Sequence, residues 1–392
     1  MEVQHHAKGI ARTGGFLLYV LLVSSVAAEE TSKPFTAELG GRVHWDFARF
    51  YNDARGTPNR NHSEWRRIWL DVSGKFYGLE YKVEGDFSSG KAEAKDMYLS
   101  KSFAAGRLTV GQFKQFYSLD DRTSSNYGTF LERGYLASTM APLYRQGVAW
   151  FSGHEAYTWG VTAYSLESID AWQVKGRALG GRATMAPRRE QGDLLHLGVS
   201  LAHEAYDHPG ANGAPALSVR PRMAGHLSDD SHPTLVSFAN GRDVDVDKWA
   251  LEYAQVRGPL SWQAELGGAE FDDGRQRASV VSGYSFVSWF ATGESRRYDN
   301  KTGRFGRIKP LSKYGAVELA LRYDEMHGKQ HPDGMPDLRD GVVSAWTVGV
   351  NWYLRGNLRF MLNYIDSRYR DHLAGSTADR TRAITGRFHY DF

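Results

Sequence analysis

From residue 37 to the C terminus the chain repeats one pattern, in which apolar and polar side chains alternate over segments bounded by Gly, Asp, Asn and Pro. Leu358, Phe360, Leu362 and Tyr364 share one parity, and Arg359 and Asn363 share the other. Leu79, Tyr81 and Val83 likewise oppose Glu80, Lys82 and Glu84. Period two denotes half-buried strands, and no segment beyond the N-terminal leader sustains a helical period. The spacing predicts sixteen strands, at 37–50, 63–73, 77–88, 94–103, 107–117, 144–153, 156–166, 173–186, 193–206, 244–257, 259–271, 278–293, 313–324, 341–354, 357–369 and 380–392. Short connections such as 73–75 and 355–357 alternate with long polar ones at 52–61, 118–143, 207–243, 325–340 and 370–379.

Such strands suit a membrane only if the sheet closes on itself. A lipid-embedded strand with a free edge leaves backbone groups unpaired at several kcal/mol each. The expectation is an all-β, transmembrane antiparallel β-barrel of about sixteen strands, wide enough for a water channel. Apolar residues make up only 41% of the chain, as expected if each strand keeps one wet face. The net charge of +3 gives no case for a nucleic-acid partner. The absence of Cys excludes disulfides and thiolate chemistry.

The N terminus follows a different rule. Lys8 and Arg12 precede the apolar run Phe16–Val23, small residues lead to Ala28, and Glu29 and Glu30 follow. This is the layout of a cleaved signal peptide, and the run is too short to span a bilayer. Residues 1–28 are expected to be the leader and 29–392 the barrel, placing the protein in the outer membrane of a Gram-negative bacterium.

Six segments carry a family likeness: EWRRIWLDVSGKFYGLEYKVEGDF (64–87), RLTVGQFKQFYSLDDRTSSNYGTFLERGY (107–135), VRPRMAGHL (219–227), VRGPLSWQAE (256–265), FATGESRRYDNKTGRFGRIKP (290–310) and NWYLRGNLRFMLNYID (351–366). Together, and in this order along the chain, they resemble the phosphate-selective porin O and P family. The resemblance implies a sixteen-stranded homotrimeric porin that passes small anions, with phosphate or polyphosphate as candidate solutes. It implies a third loop folded inward, with a row of arginines leading down to a lysine-lined constriction. No cofactor or metal is expected.

An anion path needs fixed positive charge facing water, and arginine supplies it as a planar fork that binds phosphate oxygens in pairs. Arg220 and Arg222 face one way on an extended segment and match two positions of the arginine row, or they are ordinary solvated loop residues. Ser218 stands where the resemblance implies a further arginine, a departure that counts against phosphate specificity. Arg67 opposes Ile68, Leu70 and Val72 and so points into the lumen, which gives Arg66 lipid-side parity. Lys82 also has lumen parity, either as a path residue or paired with Glu80 and Glu84. In the third loop the candidates are Lys114, Arg122 and Arg133. Lys114 shares parity with Leu108 and Val110 and reaches the lumen only if the chain bends at Gly111. Arg133 has a second reading, as a pin between the loop and the wall. Acidic residues on lumen parity are nearly as numerous as basic ones.

Arg296, Arg297, Lys301, Arg304, Arg307 and Lys309 form a basic connection at the short-turn end. It resembles the long turn that folds up into the channel in this family; the alternative is a solvated turn that meets periplasmic partners. Phe388, Tyr390 and Phe392 alternate with Arg387, His389 and Asp391 at the C terminus. They resemble the aromatic signature read by the barrel-assembly machinery, with lipid as the partner of the outward face. An outer-membrane lipid or ester hydrolase is the alternative function. HEAY at 154–157 and 203–206 does not make HExxH, and GxSxG and Walker motifs are absent. The expectation is a channel rather than an enzyme, with the fourteen His mostly rim or lumen residues rather than ligands.

Overall fold

The computed structural model describes residues 34–53, 59–228, 232–375 and 379–392. Residues 1–28, expected to be a leader, therefore lie outside the described residues. The strands are β1 (Phe35–Tyr51), β2 (His62–Phe76), β3 (Leu79–Asp86), β4 (Glu93–Phe103), β5 (Gly106–Lys114), β6 (Tyr144–Gly153) and β7 (Tyr157–Ser165). Next come β8 (Lys175–Glu190), β9 (Asp193–Asp207), β10 (Leu217–Val219), β11 (Val236–Phe238), β12 (Val244–Arg257), β13 (Leu260–Asp272) and β14 (Gln276–Phe290). The rest are β15 (Tyr298–Asp299), β16 (Arg304–Phe305), β17 (Ala316–Pro332), β18 (Arg339–Arg355), β19 (Leu358–Asp371) and β20 (Arg380–Asp391). Sixteen of them close an antiparallel barrel in chain order, and β10–β11 and β15–β16 are small separate hairpins.

Closure is made by β1 against β20, from Arg42 opposite Asp391 to Tyr51 opposite Arg382. The final residue completes the seam: Phe392 N–H donates to Gly41 O and Gly41 N–H to Phe392 O, both at 3.1 Å. Alternation sorts the two faces as expected. On β18, Trp346, Val348, Val350 and Trp352 are exposed, while Thr347, Asn351 and Tyr353 are buried inside. The largest departure from the sequence reading is β17, which continues to Pro332 through residues expected in a loop. Its outward residues there are Glu325, His327, Lys329 and His331, so the apolar half of the alternation is missing above the lipid belt.

The lumen is not empty. The third loop, 115–143, folds inward and carries two short helices, α1 (Leu119–Arg122) and α2 (Tyr135–Met140). Helices of one turn or so show no period in sequence. The 208–243 loop also turns inward and packs β10–β11 over the wall. Leu136 and Met140 of α2, Val219, Leu235, Val236 and Phe238 of that loop, and Val246, Phe271, Val280, Met326 and Val343 of the wall form one apolar core. Each large side chain buried there contributes about 1.5–3 kcal/mol. The wall makes room where it must: a Cβ on Gly328 would lie 2.6 Å from Leu235 Cβ.

Candidate functional site

One side of the lumen holds the third loop and the other leaves a passage. The holding side uses β9, β12, β13 and β17–β20. Glu265 accepts from Ser118 Oγ at 3.0 Å and from the Leu119 N–H. Asp324 accepts from the Tyr135 N–H at 2.9 Å, and Asn363 from the Leu131 N–H at 3.0 Å. Asn351 and Arg359 donate to Thr129 O and Gly128 O, both at 2.7 Å. Arg387 grips Asp46 through two bonds of 2.7 Å and also reaches Leu131 O at 2.7 Å and Glu132 at 2.8 Å. Burial raises the Glu132 carboxyl, but Arg66, Arg387 and Arg67 outweigh it and hold the group well below the usual carboxylate range.

Opposite this anchorage, β1–β6 and the outer edge of the third loop enclose a passage of about 850 Å³. Eleven Lys and Arg side chains line it against six Asp and Glu. Basic groups therefore outnumber acidic ones along this passage, where parity along the chain had put them nearly level.

Two β-bulges raise that number. β2 pairs His44 with Arg67 and then Trp45 with Trp65, so Arg66 is the extra residue. A bulge puts two residues opposite one and shifts parity. Arg66 thus turns inward to Glu132 at 3.2 Å, correcting the lipid-side position expected from simple alternation. In the same way β3 and β4 pair Val83 with Met97 and then Gly85 with Ala94. Lys95, which alternation would place outward with Met97 and Leu99, lines the passage.

The sequence candidates occupy distinct places. Arg67 is buried in the wall with its Nη1 3.2 Å from His44 Nδ1. Lys82 is surrounded by Glu84 at 2.5 Å, Asp96 at 3.7 Å and Asp71 at 3.9 Å, so its charge is offset locally. Gly111 adopts φ +130°, and a Cβ there would meet Met97 O at 2.3 Å. Beyond that bend Lys114 reaches Asp121, to its backbone oxygen at 2.5 Å and its Oδ1 at 2.8 Å. Arg122 donates to Lys114 O at 2.6 Å. Burial, Arg304 and Arg182 hold its guanidinium down at about 10, still charged at neutral pH. Arg133 donates to Asp120 O and Thr123 O, both at 2.9 Å. It braces the third loop against itself, where the sequence suggested a pin to wall carboxylates. Arg220 and Arg222 are exposed and line a smaller cavity of about 80 Å³, and Arg222 also reaches the main passage.

The basic connection, 291–315, rises into the barrel. Arg182 donates to Gly303 O at 2.8 Å, and Phe305 packs with Leu119 of the third loop. Arg296 is buried, donates to Gln263 at 2.9 Å and lies 3.5 Å from the Phe305 ring centre. Arg304 lines the passage. Arg307 binds Asp391 and Gly356 O, while Arg297 is exposed.

Arg42 is a passage residue that the candidate set lacked. It lies 4.3 Å from the Trp69 ring centre and donates to Ser125 Oγ at 3.3 Å. Its signal was present, since Arg42 opposes Val43 and Trp45 on β1. Ordered hydroxyls, guanidinium groups and ammonium groups around water can pass an anion from one moderate site to the next.

The phosphate-selective porin O and P family model matches residues 37–392, the barrel from the third residue of β1 onward together with its inward loops. The chain belongs to that family. It is an outer-membrane porin, a channel-forming barrel. Porin O of Pseudomonas aeruginosa is 26% identical over 411 residues, covering 95% of this porin and 91% of its own length. The anion-selective porin from Comamonas acidovorans shares the fold at 12% identity, with a TM-score of 0.56 over 91% of this chain and 99% of that one. The outer membrane channel DcaP of Acinetobacter baumannii gives a TM-score of 0.57 at 11% identity, over 91% and 97%. OmpT of Vibrio cholerae, solved in a trimer form, gives 0.57 at 13% identity, over 91% and 99%.

Proposed function

We propose that this porin conducts small anions, phosphate among them, through the passage between the third loop and β1–β6. The observation that carries the reading is the excess of basic over acidic side chains on that one surface. Arg42, Arg66, Lys95, Arg122 and Arg304 line the water-filled space directly, and Arg220 and Arg222 stand on the loop above it. Lys82 adds least to the potential, because three carboxylates surround it, whereas among the described residues Arg42, Arg66, Lys95 and Lys114 each meet one. Membership of a phosphate-selective family and the anion selectivity of the Comamonas porin support anion preference. Reversal potentials of the reconstituted porin in a salt gradient test it directly: the expected sign is that of anion preference, and cation preference overturns the proposal.

The trimer form of the Vibrio outer membrane protein OmpT supports a homotrimer here. Cleavage after Ala28 would deliver a mature chain beginning at Glu29, which N-terminal sequencing of the purified porin checks. The pairing of Phe392 with Gly41 and the outward Phe388 and Tyr390 support a role for the last strand in assembly. Deleting Phe392 is expected to lower the yield of heat-modifiable barrel while leaving the reversal potential of the inserted fraction unchanged. Normal yield would remove the residue from assembly.

A further inference from the structure

His327, Asp340 and His372 lie on three consecutive strands and their ends, β17, β18 and the turn after β19. Their parity is outward. His327 alternates with the inward Met326 and Gly328, and Asp340 shares parity with the exposed Trp346 and Val348. The ladder sets their proximity. Asp340 pairs with Lys329, two residues from His327, and its carbonyl accepts the His372 N–H at 2.9 Å. Both imidazoles then aim at one oxygen: Asp340 Oδ1 is 2.9 Å from His327 Nε2 and 2.8 Å from His372 Nδ1. The three ligand atoms lie within 4.8 Å of one another, on two exposed imidazoles and one half-buried carboxylate.

We propose that these three residues bind a borderline divalent transition-metal ion, Zn²⁺ by preference, on the outer wall at the long-loop rim. Two imidazoles and one carboxylate are ligands for zinc and its neighbours rather than for Mg²⁺ or Ca²⁺, which take oxygen shells. Metal–ligand bonds of about 2.0–2.2 Å in a tetrahedral shell set neighbouring ligand atoms about 3.3 Å apart. The two His–Asp separations need to widen by only about half an ångström for that geometry. His372 can supply the shift, because it sits in a turn beyond the ladder. The other rim pairs differ in kind. His203 with Asp247 and His331 with Asp337 each bring one imidazole to a carboxylate, which a hydrogen bond accounts for. At Asp340 two imidazoles converge on one oxygen. The fourth position faces water, and a bound ion would tie β17, β18 and the end of β19 together.

Calorimetric titration of the detergent-solubilised full porin, carrying no polyhistidine tag, with ZnCl₂ tests this. The expected result is one ion per chain. His327→Ala and His372→Ala should each weaken binding about tenfold or more, since even outer-shell partners of a metal are worth that much. His331→Ala should leave it unchanged. Heat-modifiable gel mobility checks that each variant is a closed barrel, and Asp340→Asn gives the same test if an alanine variant fails to fold. Absence of Zn²⁺ uptake by the native porin overturns the proposal, as does undiminished uptake by a folded Asp340→Asn or His327→Ala/His372→Ala variant.

Discussion

Arg387 and Arg42 project inward from the two strands that close the barrel, yet they do different work. Arg387 is fully buried, bonded on every side to Asp46, Glu132 and a loop carbonyl. Arg42 lies over Trp69, with Ser125 Oγ at 3.3 Å and Glu84 at 3.4 Å, and borders the open passage. The same contrast holds for the two sides of the lumen. Arg322 and Arg359, like Arg387, are consumed in holding the third loop. Arg42 and Lys95 line the passage, and Arg66 does both, since it lines the passage and also holds Glu132 of the third loop at 3.2 Å. A cation's position under the loop or beside it decides whether it anchors the constriction or borders the open passage.

The sharpest way to break this contrast is Arg387→Ala. Removing Arg387 leaves Asp46 buried without the guanidinium that pairs it, while Glu132 keeps Arg66, a loss of about 3–5 kcal/mol. The expected result is conversion of the heat-modifiable band at lower temperature, with noisier open-channel current as the loop loosens. Native thermal behaviour would show that the loop is held by its apolar core alone.

Arg42→Ala should act on selectivity instead. A charge about 4 Å from a passing ion is worth about 1 kcal/mol in a water-like medium, so anion permeability should fall about fivefold, lowering the anion-to-cation ratio, with the barrel's stability intact. A loss of stability without a change in reversal potential would reassign Arg42 to the anchoring set. Arg220→Glu with Arg222→Glu should give a smaller shift, fading as salt rises and the screening length falls to about 3 Å near 1 M. An effect equal to that of Arg42→Ala at high salt would move the selective point up into the 208–243 loop.

Acidification should do least. Glu132 is held well below the usual carboxylate range, so its ion pairs are complete above the ordinary Glu value of 4.5 and weaken only as pH falls through the lower folded value. Loop-dependent current noise is expected to be the same at pH 7 and pH 5. A rise in noise over that interval would mean that another titrating group carries the anchorage.

Much of this was legible along the chain. The strand positions, the closure of Phe388, Tyr390 and Phe392 onto β1, and the inward parity of Arg67 and Lys82 follow from period two, which each residue reports locally. The end of β17 was missed because Glu325, Lys329 and the two His give alternation without an apolar face. The inward positions of Arg66 and Lys95 were missed because a bulge inserts one residue and reverses parity, with no residue type that announces it. Lys114 lay between these cases: the sequence named Gly111 as the hinge, and the positive φ there turns the chain.

The sequence by itself determined that this chain makes a closed, lipid-facing barrel with a wet interior, because one apolar face per strand permits little else in a membrane. Only the tertiary structure decided which cations meet water, which hold the third loop, and that His327, Asp340 and His372 converge. Those outcomes depend on the register of strands far apart in sequence and on loops packed inside them, and alternation along one strand carries no record of either.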